Sequence, residues 1–238
     1  MANGSSGSRS WKLKEGLQIR EWLARFAAGD SCCRDLLIDH MQQMVSADGL
    51  LSGPVTEEGV FCGEGILFAL DQTGEERYKK AADQLAAALN DMPQPESGWP
   101  LWKTQPFCAA YDVRFGGRQQ AKAIAERFRK AREAWLADPE NGDWYYLSLA
   151  DTLEKMDSQI YEHYRMLADL LLEAARHAAR MGVDAFSHMA VSYAVLKGVR
   201  LGLLDPERYL PLALQAVEAC LSDPLLPLAK AEYRRAER

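Results

Sequence analysis

Glu57, Glu58 and Glu64 lie close together in Thr56-Glu-Glu-Gly-Val-Phe-Cys-Gly-Glu64. Paired carboxyl groups suit general acid–base chemistry when burial raises one pKa enough to hold a proton near neutral pH. Glu57 and Glu58 also fit a plainer role, as acidic partners of the positive end of a helix that begins after Thr56, worth a few tenths of a kcal/mol each. Glu64 falls inside an apolar run, where an unpaired charge is expensive. It therefore needs a partner, or it lines a central cavity.

A second group combines aromatic and polar residues. Trp144 could stack on a sugar ring with Asp143 beside it, or the pair could be an N-cap and a core aromatic. His188 is either a pocket group or a satisfied helix residue. His40, His163 and His177 have no metal-ligand spacing, and Gly63-x-Gly65 belongs to no phosphate-loop pattern. The cysteines number 5, an odd count with adjacent Cys32-Cys33 and no framework spacing, which predicts reduced thiols and a cytoplasmic protein.

These residues must be positioned by helices. Apolar residues recur at helical spacing between regular breaks, and no segment alternates strictly enough for a strand. The predicted helices are Trp11–Ala28, Ser31–Met44 with Ser31 as cap, Val60–Leu70, Glu75–Leu89, Gln105–Phe115, Arg118–Leu136, Trp144–Met156, Ser158–Met181, Phe186–Leu204 and Pro206–Leu221. A short piece follows from Pro224. Within each pair the first helix is more apolar and the second more amphipathic, and turns recur about every 40 to 48 residues. The fold class expected is all-α: consecutive helical hairpins in an α/α toroid-like array, one domain over residues 11–238. Residues 1–10 look like a flexible leader or an expression scar. The net charge of −6 disfavours nucleic acid as a partner, and no apolar run is long enough for a membrane helix. Basic residues in Arg127–Arg132 and Tyr233–Arg238 have acids nearby and are read as solvated faces.

Four segments carry a family resemblance: Thr56-Glu-Glu-Gly-Val-Phe-Cys-Gly-Glu-Gly-Ile-Leu-Phe-Ala69 with Thr73-Gly-Glu-Glu-Arg-Tyr78; Gln105-Pro-Phe-Cys-Ala-Ala-Tyr-Asp-Val-Arg-Phe-Gly-Gly117; Asp143-Trp-Tyr-Tyr-Leu-Ser-Leu-Ala-Asp-Thr-Leu-Glu-Lys-Met156 with Ile160-Tyr-Glu-His-Tyr-Arg165; and Tyr193-Ala-Val-Leu-Lys-Gly-Val-Arg-Leu-Gly202. In this order they resemble the unsaturated glycuronyl and rhamnogalacturonyl hydrolases, glycoside hydrolases built as a six-hairpin toroid. The resemblance implies hydration of the double bond of a terminal unsaturated uronic acid by an aspartate acting as general acid and base. It implies an oligosaccharide partner, no metal and no organic cofactor. It also implies aromatic platforms for sugar, for which Trp99, Trp102 and Trp144 are candidates.

The chain departs from that pattern where the chemistry lies. The family reads Trp-x-Asp-x-x-x-Met-x-x-Pro-Phe; counted back from Pro106-Phe107, the aspartate position holds Trp99, the tryptophan position Ser97 and the methionine position Lys103. An indole cannot transfer a proton to carbon. The loop before Trp144 is reduced to Asp138-Pro-Glu-Asn-Gly-Asp143, with Asn141 and Gly142 as partial matches, and Asp184-Ala-Phe186 stands where the family has Glu-Thr-Ser. The family's last inner helix finds no match after Cys220, so an open array is expected, with Leu225, Leu226, Pro227 and Leu228 either folding back over its apolar edge or supporting self-association through it. Two function classes follow: a hydrolase of this type, weak or inactive, with Glu64, Glu57 or Glu58 as the remaining acids; or a non-catalytic descendant or engineered minimal scaffold that binds carbohydrate or protein.

Overall fold

The computed structural model describes residues 12–53, 55–137, 142–182, 185, 188–220 and 222–236. The expected leader, Trp11, Asn141, Asp184 and Phe186 lie outside the described residues.

The chain folds as α1 (Leu13–Ala27), α2 (Cys32–Met44), α3 (Glu57–Thr73), α4 (Glu76–Asp91), α5 (Gly98–Tyr111), α6 (Ala121–Ala137), α7 (Asp143–Lys155), α8 (Tyr161–Met181), α9 (Met189–Arg200), α10 (Pro206–Ala219) and α11 (Leu226–Ala236). Apart from one isolated antiparallel bridge between Val45 and Leu51, no β pairing occurs among the described residues. No described helix is long and apolar enough to cross a membrane.

Two layers result. In the inner layer α1 packs on α3, α3 on α5, α5 on α7, α7 on α9, α9 on α11, and α11 on α1. The outer helices α2, α4, α6, α8 and α10 each cover the inner helix that precedes them. This division follows composition. Helices α3, α5, α7 and α9 bury residues around most of their circumference, as helices enclosed by protein must. Helix α4 instead buries only Tyr78, Ala81, Ala82 and Leu85, one stripe facing inward.

The alternating hairpins thus stand as expected, but the inner ring is closed, not open. Helix α11 is the sixth inner helix and seals the ring against α1, with Leu225, Leu226 and Leu228 buried in the core. Of the two roles open to Leu225, Leu226 and Leu228, folding back over the apolar edge is the one the structure shows.

Helix ends depart from expectation where local chemistry intervenes. Thr56 caps α3 by accepting from the Gly59 N–H, and Asp205 does the same for Glu207 ahead of Pro206. Ser31, by contrast, makes no side-chain cap. The helix expected over Gln105–Phe115 begins earlier, at Gly98, and ends in a π-helical turn over Asp112–Gly116. Pro100 falls in its first turn, where a missing N–H costs nothing. Pro106 falls in its interior and leaves the Trp102 carbonyl without its usual i+4 donor. The Arg20 guanidinium fills that place from α1, with Nη2 donating to Trp102 O at 3.4 Å. Trp99, Trp102 and Lys103 therefore project from a helix and not from a loop.

Helices α5 and α7 approach so closely at Gly98 that an added Cβ would lie 2.4 Å from the Tyr145 backbone nitrogen. Replacing a helical glycine by alanine ordinarily stabilises by up to about 1 kcal/mol, whereas forcing a methyl into packed backbone costs about 1–3 kcal/mol. Gly98→Ala should lose net stability of about 1–2 kcal/mol and melt about 2–8 °C lower when followed by circular dichroism. A rise in Tm would show that the helices are not held this close.

Candidate functional site

The starts of the inner helices converge at one end of the ring. There the three indoles suggested as sugar platforms come together. Trp99 meets Trp144 edge-on with centroids 4.4 Å apart, Trp102 stacks on Trp144 at 5.3 Å, and Trp99 lies 5.8 Å from Trp102. Trp102 is fully buried, while Trp99 and Trp144 are half-buried. The core reading of Trp144 thus holds for much of its surface. Asp143 is the first residue of α7 and does not cap it; its Oδ2 lies 2.6 Å from His188 Nδ1, linking the starts of α7 and α9. Burial raises the Asp143 pKa, with His188 working against that rise. His188 itself is 55% exposed at the rim.

Glu57 and Glu58, at the start of α3, share one cation. Lys103 forms an ion pair with Glu57 and donates to Glu58 at 3.3 Å, while its ammonium sits 5.4 Å from the Trp99 ring centroid. Lys103 occupies the position where the family pattern has methionine. Burial works against the charge on Glu58, but its own backbone N–H and Lys103 outweigh this and lower its pKa. Glu58 is therefore ionised at neutral pH and holds no proton to give.

Glu64 lies two turns further along α3, at the ring axis, and belongs to a different cluster. Its Oε1 is 2.8 Å from Arg20 Nη2, off the hydrogen-bonding direction, and its Oε2 is 2.8 Å from Lys155 Nζ. Burial opposes its charge, but Arg20 and Lys155 prevail and the pKa is lowered.

The centre of the cluster is Asp151 on α7, which pattern reading did not single out. Its Oδ2 accepts from Arg20 Nη1 at 2.5 Å and Trp102 Nε1 at 2.7 Å; its Oδ1 accepts from Tyr193 Oη at 2.7 Å and Lys197 Nζ at 2.6 Å. Lys197 also donates to Glu154 at 2.8 Å. Arg200 reaches both Glu154 at 2.5 Å and Glu232 at 2.7 Å, and Arg235 bonds Glu232 at 2.7 Å. Arg235, read from the sequence as part of a solvated face, turns inward instead. Through this network α1, α3, α5, α7, α9 and α11 each place at least one polar side chain on the axis. The signal that could have exposed it is the one that exposed Glu64: Asp151 and Lys197 each follow a mainly apolar run, Tyr145–Ala150 and Tyr193–Leu196, inside a buried helix. No group of three or more His, Cys, Asp or Glu side chains forms a metal site among the described residues.

A closed ring of inner helices with an outer helical layer is a glycosidase-like α/α toroid. Its architecture is similar to that of the C. acetobutylicum ATCC 824 glycoside hydrolase from family 105, with a TM-score of 0.77 and 18% sequence identity over 97% of this chain and 95% of that one. Likeness at that identity shows the fold. No family model and no curated protein matches the sequence.

Breaking a buried charged cluster by removing one partner costs about 3–5 kcal/mol, because the remaining charges stay buried. Asp151→Asn should destabilise by that amount in urea unfolding. The network also sets a pH window. The pKa of Asp151 is held down by Lys197 and Arg20 against burial, and Glu64 and Glu154 are also lowered. Groups lowered on folding stabilise above their unfolded values, here 3.8 for Asp and 4.5 for Glu, and lose that contribution as pH falls through the folded values. Lys197 is raised by Asp151 and Glu154 despite burial, so its contribution holds below 10.5 and vanishes as pH rises through its higher folded value. Stability should be flat between these limits and fall at both ends, with a shallower acid limb in Asp151→Asn. An acid limb unchanged by the substitution would show that Asp151 is not the hub.

Proposed function

We propose that the chain is a non-catalytic ring of the glycosidase-like fold that holds an oligosaccharide without hydrolysing it. The observation that carries this reading is that each of Glu57, Glu58 and Glu64 is paired with a cation. Trp99 stands at the position where the family resemblance calls for the acid, packed between Trp144 and Lys103. Glu57 and Glu58 are tied to Lys103, and Glu64 is tied to Arg20 and Lys155 at the axis. A general acid must hold a proton near the working pH and reach the reacting atom within about 3 Å. Glu58 and Glu64, whose pKa values are lowered against burial by the cations beside them, do not hold that proton. The rim favours retained binding, because the half-exposed Trp99 and Trp144 lie beside the Asp143–His188 pair, which can hydrogen-bond sugar hydroxyls.

The fold likeness to a family 105 glycoside hydrolase favours a second reading, an unsaturated glycuronyl hydrolase whose acid has moved. One assay separates the two. General acid–base catalysis contributes about 10²–10⁴-fold. We therefore expect an unsaturated uronyl disaccharide to keep its conjugated double-bond absorbance at the background rate. Trp99→Asp should recover at most a trace. Robust turnover by the unaltered chain, abolished by Glu64→Gln, would establish the second reading instead.

A further inference from the structure

A cavity of about 360 Å³ opens between α4, α5 and α6, sharing Glu57 with the ring mouth but none of the indoles or the axial charges. Its floor is the outward face of α5, its sides are α4 and α6, and the 92–95 segment closes one end. That size is within the range of small-molecule sites. The lining is mixed, with Leu89, Met92, Pro93, Phe107, Cys108 and Tyr111 beside polar side chains that include Glu57, Asp83, Asp112 and Arg127.

The charges around it decide what fits. Glu57 is paired with Lys103. Asp83 accepts from Lys79 and from the Tyr111 hydroxyl, each at 2.5 Å. Asp112 is buried and accepts the Gln119 and Gln120 backbone N–H groups at 3.0 and 2.8 Å, fixing the chain after the π turn. Arg127 differs. Its Nε donates to Gln94 Oε1 at 2.6 Å and its Nη1 to Gln105 Oε1 at 3.0 Å, and no carboxylate pairs with it among the described residues. It also neighbours the Cys108 thiol, whose pKa burial raises and Asp112 raises further, against the pull of Arg127. The sulfur therefore stays protonated and supplies no counter-charge. A guanidinium has five N–H donors, so Arg127 keeps donors to spare, and the two amide oxygens aim its planar fork.

We propose that this cavity binds a small organic carboxylate with an apolar body, the carboxylate on Arg127 and the body against Met92, Pro93, Phe107, Cys108 and Tyr111. Glutamine oxygens orient Arg127 without neutralising it, which leaves the charge for a ligand. The apolar part of the lining rejects a small hydrated anion and favours a ring or short alkyl chain. This inference does not depend on whether the ring mouth binds sugar, because Trp99, Trp144 and His188 take no part in the cavity lining.

The test uses 4-phenylbutyrate and its neutral analogue 4-phenylbutyramide with the whole chain, binding being followed by saturation-transfer NMR and calorimetry. The acid should bind at least ten-fold more tightly than the amide, and Arg127→Met should remove that preference. If Arg127→Met does not fold, Arg127→Gln takes its place in the same comparison. No binding, equal binding of acid and amide, or a preference for the acid that survives the substitution would each overturn the proposal.

Discussion

The ring is organised around a buried carboxylate that cannot be left unsatisfied. Asp151 is almost wholly removed from water, and ionised carboxylates in such places require several donors. Four donors reach it, from Arg20 on α1, Trp102 on α5, and Tyr193 and Lys197 on α9. Each of those helices can sit only where its donor meets the carboxylate. Arg20 brings in Glu64 of α3, and Lys197 together with Arg200 brings in α11 through Glu232. Closure of the inner layer and satisfaction of Asp151 are therefore one requirement met twice, by apolar packing between helices and by polar pairing at the axis.

That arrangement has a chemical consequence. Carboxylates on the axis of a helical ring become acids or bases only if one is kept protonated near neutral pH. Here each is matched to cations, with Glu64 between Arg20 and Lys155, Asp151 between Arg20 and Lys197, and Glu154 between Lys197 and Arg200. Matching of this kind lowers carboxyl pKa values, opposite to what proton donation requires. At the ends of the helices above, Trp99, Trp102 and Trp144 fill space with hydrocarbon and one another. The axial charges thus serve to hold the inner helices together.

Much of this was legible in the sequence. Helical periodicity gave the hairpins, and the apolar character of α3, α7 and α9 marked the inner layer. Glu64 stood out because a charge in an apolar helix demands a partner. The same rule applied to Asp151 and Lys197 would have pointed to the hub, but a pattern cannot say which distant cation meets which carboxylate, since those meetings span the whole ring. Ring closure was missed because α11 is short and rich in charge, and its Glu232, Arg234 and Arg235 look solvated until the acids of the axis are placed beside them. The start of α5 was missed because Pro106 resembles a first-turn proline. Only the Arg20 guanidinium, arriving from α1, shows how a proline deep in the helix is tolerated.

The account rests on Glu64 being a structural anion and not a proton reservoir. Its side-chain carboxyl carbon can be followed by NMR titration of selectively labelled protein, with Glu64→Gln to assign the signal. The account predicts a midpoint below the ordinary 4.5, because Arg20 and Lys155 stabilise the ionised form more than burial disfavours it. A midpoint raised above about 6, the range of a working general acid, would contradict it and return catalysis to the axis of the ring.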